Sequence, residues 1–165
     1  MTKPVRKKSD VDTFLADLGN GDILTTVLKG HLHVMSLLIE NIELKMDRPG
    51  TIQLERFNIG VLARLAAALG QIPNEAISGF EQLNILRNHF AHKLGYELSD
   101  KDVEDLWSSL SSEERDLVAD TYNKASSREL KVRSCIYALH LEANTHLGLA
   151  QDEISSILYE PEPQE

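Results

Sequence analysis

The stretch 81–93, EQLNILRNHFAHK, combines the apolar spacing of a buried helix with an unusual set of polar side chains. Leu83, Leu86 and Phe90 recur three and four residues apart, an interval that places them on one helix face. Ile85 adds to the apolar content, and an arginine, asparagines and two histidines supply groups that can bind or protonate a phosphate. We therefore expect a core helix here, and we expect any chemistry of the chain to take place on it.

Helical spacing also governs the chain before this stretch. Asp10 and Asp22 are suitable N-caps, which predicts a short helix and then a long one that ends near 48–50. A third helix is predicted to begin at Thr51 and to end at Gly70. Its apolar stripe comprises Leu54, Phe57, Val61, Leu62, Leu65 and Leu69.

After the fourth helix, which opens at 73–75, three further helices are predicted. Ser99 and Ser111 each begin a capping box, and a last apolar stripe runs over 127–149. The chain has no sustained apolar–polar alternation of the kind that strands show. The predicted fold class is therefore all-α, a single helical-bundle domain of about six or seven helices with long antiparallel core helices.

The two ends of the chain differ from its middle in composition. Residues 1–9 are rich in lysine and arginine and are predicted to form a basic flexible arm. Residues 159–165 alternate acidic residues with prolines and are predicted to be an acidic disordered tail. The single all-α domain is expected to span 10–158.

Composition excludes several classes of protein. The chain has 165 residues and a formal net charge of -9, which argues against a protein that coats DNA by bulk electrostatics. We see no apolar run long enough for a membrane span and no secretory signal, so we expect a cytoplasmic protein that does not bind membranes. The single cysteine, Cys135, excludes an intramolecular disulfide. No spacing typical of metal ligands or of a cofactor-binding loop is present, so no metal or cofactor is expected.

Arg87, Asn88 and His92 are the candidate catalytic residues. Asn88 and His92 are four apart and share a helix face, whereas Arg87 and His92 are five apart and diverge on a single helix. Imidazole and guanidinium groups suit metal-independent cleavage of RNA, because imidazole transfers protons and guanidinium stabilises phosphate charge. A second copy packed across a two-fold axis would bring both sets together, so a homodimer is expected.

The alternative interpretation is structural. Arg87 would then pair with an acidic neighbour such as Glu81 or Glu97, and His92 would cap the carbonyl groups at the end of its helix. His89 is either a second acid–base group or a surface residue that faces away. His31 and His33 are two apart on a helix and are expected to be packing residues rather than metal ligands.

The pattern Arg87-Asn88-x-x-x-His92 near the end of a helix resembles the signature of the HEPN superfamily (higher eukaryote and prokaryote nucleotide-binding domains). The resemblance implies a helical domain, usually dimeric, with the motifs of two copies facing each other. Many members are metal-independent ribonucleases of toxin–antitoxin and other defence systems. An RNA substrate and an antitoxin or other regulatory protein are accordingly the expected partners.

The segments 15–21 and 62–73, with the helix that carries Arg87, are similar to the mannitol-operon repressor (MtlR-like) family. That similarity spans roughly 10–105 and implies an all-α protein named for transcriptional repression. The sequence contains no helix-turn-helix with a basic recognition helix. A regulator of this type would therefore act by binding another protein, and it stands as the alternative to a ribonuclease.

Overall fold

The computed structural model describes residues 10–145, which contain seven α-helices and no strand. The all-α fold class predicted from the sequence is confirmed, and so is the number of helices. The helices are α1 (Val11–Gly19), α2 (Ile23–Glu43), α3 (Ile59–Ala68), α4 (Ile77–His92), α5 (Asp100–Ser109), α6 (Ser112–Lys124) and α7 (Arg128–Asn144). Short 3₁₀ turns at Leu54–Arg56 and Asn74–Ala76 precede α3 and α4.

Side-chain caps fix the starts of most helices. The carboxylates of Asp10 and Asp22 accept the backbone N–H of the residue three positions later, each at 2.8 Å. Capping boxes form at Ser99 with Asp102 and at Ser111 with Glu114, as predicted. Each cap provides a hydrogen-bond partner for a backbone N–H that has none within the helix. The capping residues therefore define where a helix starts through local contacts, independently of core packing.

The core is built around α2, which packs against α1, α3, α4 and α7. Ten of its residues are buried, and the amide of Asn41 ties it to α7 by donating to the carbonyl oxygen of Ala143.

In length and composition α2 meets the criterion for a membrane-crossing helix, contrary to our expectation that no such run exists. The central helix of a globular bundle meets the same criterion. The remaining helices complete the bundle through the neighbouring pairs α3–α4, α4–α5, α5–α7 and α6–α7.

Four boundaries differ from the predicted ones, and one of them is the start of the fourth helix, which is Ile77 rather than 73–75 because a 3₁₀ turn precedes it. The second helix ends at Glu43 rather than near 48–50. The third begins at Ile59, not at Thr51, because Asn58 caps it and the preceding residues form a 3₁₀ turn. The last helix ends at Asn144, and the predicted continuation to 149 falls mostly outside the described residues, as do the arm 1–9 and the tail 159–165.

Several apolar residues of the predicted helices are exposed. In the third-helix stripe, Phe57, Val61 and Leu69 are exposed, whereas Leu54 and Leu62 are buried. On α4, Ile85 is 45% exposed although its neighbour Leu86 is 1% exposed. Adjacent apolar residues point about 100° apart on a helix, so a helix packed on one side buries only one of them.

Candidate functional site

Helix α4 holds the candidate residues on and beside its outward face. Phe80, Leu83, Leu86 and Phe90 are buried and fix the inward face. Ile85 is exposed, and Asn88 and His92, which follow it by three and seven residues, lie on the same outward stripe by helix geometry. Packing of the inward face thus sets the orientation of the candidate site.

Arg87 and Asn88 are joined directly. The guanidinium Nη1 of Arg87 donates a 3.0 Å hydrogen bond to Oδ1 of Asn88, and both residues are half-buried. Neither acidic partner suggested for Arg87 in the structural alternative pairs with it within residues 10–145, since Glu81 forms an ion pair with Arg64 of α3 and Glu97 makes no contact with Arg87. Arg87 lies at the edge of the outward face, and among residues 10–145 its other guanidinium N–H groups make no hydrogen bond.

His92 is exposed and is the last residue of α4. In the described part of the chain it makes no hydrogen bond with Arg87 or Asn88, so one protomer does not assemble the three side chains into a single contact network. This agrees with the divergence of Arg87 and His92 expected from their spacing. An imidazole at this position can exchange protons with solvent or with a bound molecule.

His31 of α2 belongs to the same region and was not recognised from the sequence as a site residue. It is buried, and its Nε2 lies 3.3 Å from Oδ1 of Asn84, one turn before Asn88 on α4. Burial lowers the pKa of His31 below its ordinary value, and the positive charge of Arg87 lowers it further against the opposing effect of the Asn84 hydrogen bond. The site therefore adjoins a neutral imidazole at neutral pH.

His89 lies on the other flank of α4, against α5. Its Nδ1 is 3.6 Å from Oδ1 of Asp102, and its ring centroid is 5.1 Å from that of Tyr96. Tyr96 donates its hydroxyl hydrogen to the same carboxylate at 2.7–2.8 Å. His89 is therefore not a surface residue that faces away, which was one of the two alternatives left open by the sequence.

Other chemically capable groups lie apart from α4 or are inert. Burial raises the pKa of the Cys135 thiol to about 12, which leaves it a core residue without nucleophilic character. His33 pairs with Asp17 at 2.7 Å on the α1–α2 side. Within residues 10–145 no three histidine, cysteine or acidic side chains converge as a metal site would require. A cleft of about 380 Å³ lies between α5, α6 and the start of α7.

No family model matches the chain, and neither does any curated protein or solved structure.

Proposed function

We propose that this chain is a HEPN-like, metal-independent endoribonuclease of a toxin–antitoxin or defence system, acting in the cytoplasm. The observation that carries the proposal is the Arg87–Asn88 pair beside an exposed His92 at the end of one well-packed helix. Arg87 binds the scissile phosphate, Asn88 orients the guanidinium, and His92 transfers protons. The three residues are those of the sequence motif, and the role of Asn88 is taken from its hydrogen bond with Arg87.

The proposed reaction is transesterification of RNA. A neutral imidazole takes the proton of a ribose 2′-hydroxyl. The 2′-oxygen forms a bond to phosphorus as the bond from phosphorus to the 5′-oxygen breaks. The leaving oxygen receives a proton from an imidazolium, which gives a 2′,3′-cyclic phosphate and a 5′-hydroxyl. The guanidinium of Arg87 stabilises the charge that builds on the phosphate oxygens. All the groups in this scheme come from the protein and the RNA.

The outward face of α4 suits a second copy of the chain. Ile85 is exposed next to the site, and α2 carries an adjacent apolar stripe of Leu24, Leu28 and Leu32, of which Leu32 is 62% exposed. His31 follows Leu28 by three residues, so this stripe borders the side of α2 that meets α4. Pairing two such faces would bury these side chains and bring the two His92 residues toward each other.

The test is incubation of the pure protein with total RNA in EDTA. The wild type is expected to produce fragments that end in 2′,3′-cyclic phosphate, and Arg87→Ala and His92→Ala are expected to lose that activity. Arg56→Ala, which removes an exposed arginine from the 3₁₀ turn before α3, is the matched control. Intact RNA with the wild type would exclude the ribonuclease, and cleavage by the two variants at the wild-type rate would exclude Arg87 and His92 as its site.

The second candidate is a non-enzymatic regulator of the MtlR-like type, which the exposed apolar stripe on α2 also favours. Its function would be binding to another regulatory protein rather than cleavage. Leu32→Glu would then abolish binding to the partner in a pull-down, whereas His92→Ala would not. Leu117→Glu, at an exposed leucine of α6, is the control for adding a charge to the surface.

A further inference from the structure

His89 differs from His92 in how its ring is held. Its side chain is 32% exposed, yet its Nδ1 is shielded from solvent and faces the carboxylate of Asp102 at 3.6 Å. That distance allows an ion pair or a slightly long contact but exceeds hydrogen-bond range. Tyr96 packs against the ring, so the imidazole is confined between a carboxylate and an aromatic group.

The carboxylate that faces His89 is fixed and negatively charged. Burial alone would raise the pKa of Asp102, but hydrogen bonds from Ser99 and Tyr96 and the nearby His89 outweigh it and hold the pKa below its ordinary value. Asp102 also closes the capping box of α5 by accepting from the backbone N–H of Ser99 at 2.9 Å. An anion with this many donors cannot rotate away from His89 without breaking the start of a helix.

This arrangement selects one tautomer of His89. A carboxylate that faces Nδ1 favours the form with the proton on Nδ1, which leaves a lone pair on Nε2. The Tyr96 ring packs against the imidazole of His89, and the Nζ of Lys93 in turn lies 5.3 Å from the centroid of the Tyr96 ring. A carboxylate that orients an imidazole in this way is a recurrent device for acid–base catalysis.

We propose that His89 is a second acid–base catalytic group of the RNA-cleaving site and that Asp102 is its positioning residue. His89 and His92 are three residues apart in the last turn of α4, which places their Cβ atoms about 5–6 Å from each other. One chain then supplies both the base that takes the 2′-hydroxyl proton and the acid that protonates the 5′-oxygen. Asn88 and Arg87 precede His89 by one and two residues on the same helix, so Arg87 does not share a face with His89 and reaches the site through its long side chain.

This inference rests on the proposed ribonuclease activity, and it changes the number of protomers needed to supply the two imidazoles. Two imidazoles on one helix mean that a protomer does not depend on its partner for the second proton transfer. The role of a dimer would then be to shape the RNA-binding surface rather than to complete the catalytic pair. His92 and His89 would carry opposite protonation states at the start of each turnover.

The test compares cleavage of a short RNA oligonucleotide across pH 5–9 by wild type, His89→Gln and Asp102→Asn. His89→Gln is expected to lower kcat by about 10²-fold or more, the range for removal of a general acid or base. Asp102→Asn should lower kcat with little change in KM and should shift one limb of the pH profile. His33→Gln, which breaks the other histidine–aspartate pair, should leave both constants unchanged.

Nitrogen-15 NMR of the histidine rings gives a readout that does not depend on activity. The wild type is expected to show His89 protonated on Nδ1, and Asp102→Asn should shift the population toward Nε2. An Nε2-protonated ring in the wild type, or unchanged cleavage by folded His89→Gln, would overturn the inference. If the wild type cuts no RNA, the proposed function itself fails, and the tautomer alone then reports on the His89–Asp102 contact. If His89→Gln proves unfolded by circular dichroism, Asp102→Asn and the tautomer decide the question.

Discussion

His31 of α2 and Asn84 of α4 meet through a single polar contact, 3.3 Å from Nε2 to Oδ1, at the junction of the core with the candidate site. The amide oxygen of Asn84 accepts, so the imidazole donates from Nε2. Arg87 follows Asn84 by three residues, and its positive charge lowers the pKa of the His31 imidazole. The core helix α2 is thereby coupled electrostatically to the arginine of the motif.

Replacing Arg87 with methionine is expected to raise the pKa of His31. Burial remains in the variant, but the repulsion between the guanidinium and the imidazolium is removed. An NMR titration of the His31 ring protons measures the change. Arg64→Met is the control, because Arg64 is engaged with Glu81. An unchanged His31 pKa in Arg87→Met would mean that the two groups are not coupled.

The neighbouring residues Ile85 and Leu86 provide a matched test of the inward face of α4. Leu86→Asp is expected to destabilise the domain by several kcal/mol, because it places an unpaired charge where the side chain is fully buried. Ile85→Asp should change the free energy of unfolding far less, since that side chain is 45% exposed. Urea denaturation of the two variants measures both effects. Similar losses of stability would show that the two faces of α4 are assigned incorrectly.

How far the sequence predicts this molecule depends on the range of the interaction concerned. Caps such as Asp10, Asp22 and Ser111 act within three residues, and each of them was predicted correctly. The exposure of Val61 was not, because the apolar stripe of the third helix included both Val61 and Leu62, and periodicity cannot decide which of two adjacent apolar residues meets the next helix. Only tertiary packing supplies that information.

The same distinction applies to the candidate site. Arg87 and Asn88 are sequence neighbours, and their hydrogen bond follows from proximity on one helix. The contact of His31 with Asn84 joins residues 53 positions apart, and no local pattern indicates it. For His89 the sequence left two alternatives, and it is the docking of α5 on α4 that brings Asp102 to its ring.

Gly30 permits the close approach of α2 to α7. A Cβ at this position would lie 2.7 Å from Cγ2 of Ile136, a fully buried β-branched side chain. Gly30→Ala is therefore expected to destabilise the domain by about 1–3 kcal/mol despite the higher helix propensity of alanine. Gly19→Ala, with nothing within 4 Å of the added Cβ, is the matched control and should be neutral or slightly stabilising. Equal thermal melts for both variants would contradict the close α2–α7 packing.

Glu114 gives the domain a pH dependence opposite to that of ordinary carboxylates. Burial raises its pKa to about 7, because Oε1 has no hydrogen-bond partner within the described residues, and the bonds to Ser111 only partly offset the desolvation. The neutral acid is the form that the fold prefers. The contribution of Glu114 to stability is therefore fully present below its unfolded pKa of 4.5 and is lost as the pH rises through about 7.

Glu114→Gln retains the shape and an oxygen that can accept from the N–H of Ser111, but it carries no charge at any pH. We expect the variant to be more stable than the wild type at pH 8 by about 3 kcal/mol and nearly equal to it at pH 4. Urea denaturation at the two pH values measures the difference. Glu113→Gln, an exposed neighbour on α6, should show no such dependence. If the difference in the free energy of unfolding between Glu114→Gln and the wild type is the same at both pH values, the carboxylate ionises in the folded protein as easily as in water.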